Sequence, residues 1–150
     1  MKQIALFVLL HLVSIILVYG QGSVPDSKQK KDLYELIDKY SEAREKRDTI
    51  LLKTILTKDV DQLVSSGEWR SGIEASVKGM LNSSASTPGT RTLIVEKIRL
   101  LGSLNGIVDC VYQIKNADGT NRKMWSTFIV VSERGSWKIA AIRNMLPSPL

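Results

Sequence analysis

A chain of 150 residues carrying a net charge of +6, one histidine and one cysteine is about one domain long, enough for a single hydrophobic core. The lone histidine, His11, falls inside an apolar N-terminal run, so mechanisms built on an imidazole base, a histidine triad or a histidine metal site lose a central member. One cysteine closes no internal disulfide, and Cys110 reads as a small buried apolar residue.

Lys2, the apolar run Ile4 to Tyr19 and the residues Val18-Tyr19-Gly20 have the three parts of a secretory signal, with cleavage expected after Gly20. A membrane span needs about 20 apolar residues; this run is shorter, and His11 and Ser14 interrupt it. An uncleaved anchor is the alternative. The expected product is exported, periplasmic or secreted, and soluble, touching membrane only through residues 1–20 before cleavage.

Residues 21–27 form a flexible polar lead containing Pro25, and the domain is expected over 28–147 with a tail at 148–150. Asp26 or Ser27 can cap a long helix whose stripe is Leu33, Leu36, Ile37, Tyr40 and Ala43. Across Arg44 to Arg47 the stripe fails. Lys28, Lys30, Lys31, Arg44, Lys46 and Arg47 interleave with Asp32, Glu35, Asp38, Glu42 and Glu45, as on a solvated helix face. Nucleic-acid binding calls for a clustered basic patch or a known module, and neither is present. Asp48 is suited to cap a second helix over Thr49 to Leu56. Val60 to Val64 is predicted as a short strand. Ser71 and Glu74 have the spacing of a capping box for a third helix, buried through Ile73, Val77, Met80 and Leu81. Asn82 to Thr90 reads as a serine-rich loop. Four strands follow, Arg91–Leu101, Ile107–Lys115, Arg122–Val131 and Trp137–Met145, joined by short glycine-bearing turns. Helices first and an antiparallel meander last make an α+β domain.

Four local patterns carry a family resemblance: Asp48 with Leu52 and Leu56; Asp59-Val60-Asp61; Gly67-Glu68-Trp69 with Gly72-Ile73-Glu74-Ala75; and Ser126 to Val131 with Gly135, Trp137-Lys138-Ile139 and Arg143-Asn144. In this order, over nearly all of residues 30 to 147, they resemble the SnoaL-like branch of the nuclear transport factor 2-like superfamily. The resemblance implies a cystatin-like cone: N-terminal helices packed in a strongly curved, mostly antiparallel sheet, with an apolar pocket at the open end. It also implies a homodimer joined through the outer sheet face. Relatives include ketosteroid isomerase-like and polyketide cyclase-like enzymes, hydrolases and binding modules. No glycine-rich nucleotide turn, phosphate loop or metal spacing is present, so no cofactor and no metal are expected. Function has to be argued from the site.

In the last strand Arg143 and Asn144 point to opposite faces. The resemblance places an inward polar residue near them, and Arg143 could neutralise a ligand carboxylate or phosphate. Its alternative is a rim or interface salt bridge. Asp109 is the weak candidate for a catalytic base, although its neighbours Val108, Cys110 and Tyr112 make the opposite face the apolar one. Trp69, Trp125 and Tyr34 are candidates for a ligand wall, against a packing or interface role. The expected function is non-catalytic binding of a small apolar or amphipathic ligand, with or without dimerisation through the sheet. Two alternatives stay open: a small isomerase, cyclase or hydrolase, and an immunity-type protein-interaction module.

Overall fold

Asp26 starts the first helix, α1 (Ser27–Lys46), by a reciprocal exchange: its carboxylate accepts from the Gln29 amide at 2.7 Å, and the Gln29 side chain accepts from the Asp26 amide at 3.1 Å. The computed structural model describes residues 23–86 and 88–147. The segment read as a signal, the start of the lead and the tail lie outside them. Arg47, at φ 54°, ends α1 in a left-handed turn, and Asp48 caps α2 (Thr49–Ile55) by accepting from the Leu51 amide at 2.9 Å. No helix among the described residues is long and apolar enough to cross a membrane.

From α2 the chain passes straight into β1 (Leu56–Leu63), four residues earlier than predicted. Leu56 is already buried and pairs with Ile139, a tertiary contact that no local alternation announces. After a turn come β2 (Trp69–Ser71) and α3 (Ile73–Ser86). Ser71 is the last residue of β2, and the Gly72 carbonyl accepts from the Ser76 amide. Glu74 forms an ion pair with Lys53 at 2.7 Å in place of the predicted capping box. The third helix also runs on through most of the predicted loop. The meander is β3 (Gly89–Leu100), β4 (Asn105–Asn116), β5 (Asn121–Glu133) and β6 (Ser136–Met145). In the described part of the lead the Ser23 carbonyl accepts from the Leu100 amide.

All six strands form one curved sheet in the order β2-β1-β6-β5-β4-β3. Every neighbouring pair is antiparallel except β1 with β6. Glu96 in β3 and Ala140 in β6 are extra residues in their ladders, and such bulges bend a strand. The concave face holds the core: Leu33, Ile37 and Tyr40 of α1 pack on Val108, Phe128 and Ile142, with Leu52 and Met80 from the other helices. Tyr40 meets Phe128 edge-on, ring centres 5.1 Å apart.

Candidate ligand cavity at the open end

The core does not fill the sheet. Beyond it the concave face continues through Tyr112, Ile114 and Met124, a small separate apolar cluster backed by Leu93. Over this cluster lies an open cavity of about 650 Å³, bounded by the end of α1, the last turns of α3 and the β1–β2 turn. That is within the usual range for small-molecule sites. The lining mixes apolar side chains, Val64, Ile114, Met124 and Leu146, with four arginines, Arg44, Arg70, Arg91 and Arg122; on the sheet Ile114 stands between Arg91 and Arg122. Among the described residues no carboxylate lines it.

Arg44 is the deepest of these cations, 8 % exposed. Its Nη1 donates to the Tyr40 hydroxyl at 3.3 Å and its Nη2 to the Ser83 hydroxyl at 3.1 Å. The Tyr40 and Tyr112 rings stand 5.8 and 5.6 Å from the guanidinium. Nε is sealed from solvent without an acceptor. Among the described residues no carboxylate reaches Arg44 within ion-pair distance. Taking such a charge out of water costs several kcal/mol, and hydroxyls and ring faces return only part of it. Arg91 donates to the Ser83 carbonyl at 3.3 Å and to the Gly89 carbonyl at 3.0 Å. Two guanidinium groups thus meet at Ser83. Arg70 is neutralised by Glu68, at 2.9 and 3.3 Å, and Arg122 donates to the Ser65 hydroxyl at 3.2 Å. Burial pushes the Tyr112 hydroxyl up from its ordinary range, and Arg44 and Arg91 hold it partly back. It therefore stays protonated at neutral pH.

The residues singled out in the sequence are not gathered in this cavity. Asn144 alone lines it, accepting a hydrogen bond from the buried Ser126 hydroxyl at 2.7 Å. Arg143 is on the opposite face, where Nη1 donates to the Asp61 carboxylate at 2.7 Å. Its guanidinium lies 4.8 Å from the ring centre of Trp69, which is 56 % exposed on the edge strand β2. Trp125 stands on the convex face, because its neighbours Met124 and Ser126 point inward. Tyr34 lies off the buried stripe of α1, under the Lys30 ammonium at 6.0 Å. Asp109 is half-buried on the convex side and accepts from the Thr127 hydroxyl at 2.7 Å. Cys110 is fully buried, its thiol pushed up to about 12 by burial first and then by Asp109 and Glu96, which removes it as a nucleophile.

Sequence reasoning passed over Arg44, Arg70, Arg91, Arg122 and Ser83. For Arg44 a signal existed: 33, 36, 37, 40, 43 and 44 are all buried positions of one stripe. The stripe does not fail at residue 44; its next member is a cation. Arg91 and Arg122 stand either side of the buried Ile114 in the ladder and share the inward parity of Leu93 and Met124, a signal that strand alternation carried.

No family description and no curated protein matches the chain. Solved structures do. A cystatin-like domain of unknown function from Nostoc punctiforme superposes with a TM-score of 0.74 at 12 % identity, over 84 % of this chain and 82 % of the other. An NTF2-like protein with a cystatin-like fold from Novosphingobium aromaticivorans gives 0.71 at 14 % identity, over 82 % and 84 %. An NTF2-like protein of unknown function from Shewanella oneidensis MR-1 gives 0.67 at 15 % identity, over 77 % and 98 %. Identities this low speak to architecture alone. With its curved sheet, helices in the concave face and open-ended cavity, the chain has the cystatin-like cone fold of the NTF2-like proteins, as its SnoaL-like motifs implied.

Proposed function

We propose that the protein binds a small amphipathic molecule in the cone cavity and does not chemically transform it. The observation behind this reading is the mixed lining, in which Ile114, Met124 and Leu146 share one cavity with four arginines. An apolar wall buries a hydrocarbon portion, and a few fixed polar groups orient the rest. Native mass spectrometry of protein purified from an exporting host, repeated under denaturing conditions, tests it. The expected result is added mass that denaturation removes; a ligand-free spectrum together with no titratable amphiphile binding counts against it.

Self-association through the sheet has its own support. Ile94, Val111, Trp125 and Met145 stand in register across β3, β4, β5 and β6. Three of them are 42, 41 and 50 % exposed, leaving an apolar row on the convex face. A second copy would cover it, as homodimers cover their apolar faces. Sedimentation should give a dimer that Trp125→Glu converts to monomer; a monomeric wild type removes the reading. Export is proposed on the Lys2, Ile4 to Tyr19 and Gly20 pattern. It is checked by the N-terminal sequence of the mature protein, expected to begin at Gln21.

A further inference from the structure

We infer that Arg44 anchors an anion subsite, so that the molecule held in the cavity carries one compact anionic head, a carboxylate or a phosphate monoester, on an apolar tail. This rests on the ligand-binding reading above and adds the ligand's chemical class and the side chain that selects it.

The position itself is the first argument. Arg44 continues the stripe of Leu33, Ile37 and Tyr40, where every other buried member of α1 is apolar or aromatic. A leucine or methionine would pack there without a desolvation penalty. A guanidinium has five N–H groups, and Arg44 uses one bond to Tyr40 and one to Ser83. Neither acceptor is charged. Water could satisfy the remaining N–H groups but could not neutralise the charge.

Surroundings give the second. Arg91 bonds the carbonyl of the same Ser83 whose hydroxyl meets Arg44, so a second guanidinium adjoins the anchor. Arg122, exposed and next to Ile114 on the sheet, lines the same cavity. An anion placed at Ser83 would lie within reach of both Arg44 and Arg91, and the buried Arg44 is where its charge would count most. The planar fork of arginine suits two-oxygen heads. The apolar tail would lie against Val64, Met124 and Leu146, which line the same cavity.

The test titrates the full chain with dodecanoate, dodecyl phosphate and 1-dodecanol below their aggregation limits, by calorimetry. At least one anion should bind about tenfold or more tightly than the alcohol, as expected for a close charge pair, and the tighter one names the head. In the Arg44→Met protein that preference should vanish, while the thermal midpoint of the ligand-free protein holds or rises. Arg44→Lys should keep part of the preference. Equal binding of alcohol and anions by the wild type overturns the anion subsite and leaves the cavity reading standing. No binding of any of the three overturns both. Arg44→Met that keeps the preference, or that unfolds more easily than wild type, assigns Arg44 to packing and overturns its role as anchor.

Discussion

Gly79 of α3 lies directly beneath the Arg70 side chain of β2: a methyl group on residue 79 would occupy the space of the Arg70 Cδ, Nε and Cζ atoms. Arg70 is held there by Glu68 and Gln62. The contact fixes one wall of the cavity.

The two residues should therefore be energetically coupled. In a helix interior glycine costs about 1 kcal/mol against alanine. In an Arg70→Ala background, Gly79→Ala should recover roughly 0.5–1 kcal/mol in urea unfolding. In the wild type the displaced Arg70 should cancel most of that gain. Equal effects in both backgrounds would show that Arg70 swings aside freely.

Arg143 should be separable from ligand binding. It faces Asp61 and Trp69, half-exposed on the convex side, with side-chain exposures of 30 and 37 % for the ion pair. Asp61→Asn is expected to cost about 1 kcal/mol or less, and Trp69→Ala about 0.5–1 kcal/mol of cation–π contact beyond packing. Neither should change amphiphile affinity, measured by the same calorimetry. A tenfold loss of affinity in Asp61→Asn would place Arg143 in the binding machinery after all.

Cys110 makes stability fall in alkali. Its folded thiol is pushed up to about 12 from an ordinary 9.0, so above pH 9 the unfolded chain loses a proton that the folded one keeps. The contribution is complete below pH 9 and declines by about 1.4 kcal/mol per pH unit as pH climbs toward 12. Urea unfolding at pH 9 and pH 10 should show the wild type losing about 1 kcal/mol more than Cys110→Ala over that step. Iodoacetamide should label the thiol only when the protein is unfolded. Rapid labelling of folded protein would contradict the burial.

Asp109→Asn should be nearly silent. The carboxylate accepts one hydrogen bond from Thr127 on the convex face, and an asparagine side-chain carbonyl can accept the same bond. Binding should be unchanged and stability altered by less than about 1 kcal/mol. A large loss of any detected turnover, with folding intact, would revive the acid–base reading.

The helix caps at Asp26 and Asp48, the α1 stripe and all four C-terminal strands were legible in the sequence, because capping and periodicity are local chemistry. The start of β1 at Leu56 was not, since it is set by a strand more than 80 residues further along the chain. The candidate site divides the same way. The opposite orientations of Arg143 and Asn144 follow from strand alternation, and Asn144 duly lines the cavity. Which of the two faces is concave depends on how the sheet curls. The arginines come from the ends of separate elements, each unremarkable in its own segment, and Arg44 was hidden by the charged residues beside it.

The parallel pairing of β1 with β6 has a consequence for the order in which the protein can come into being. Its sheet is not built outward from the first strand: β6, the last of these strands in chain order, is inserted between β1 and β5. Until residues 136–145 arrive, β1 with its short partner β2 is cut off from the meander, and the helices have only part of a concave surface to lie in. Distant pairings of this kind slow folding, because loop closure must precede the contacts that reward it. A chain lacking residues 136–145 would not be a slightly smaller cone, because β1 and β5 would each be left with an open edge. The sheet thus closes only once residues 136–145 are in place.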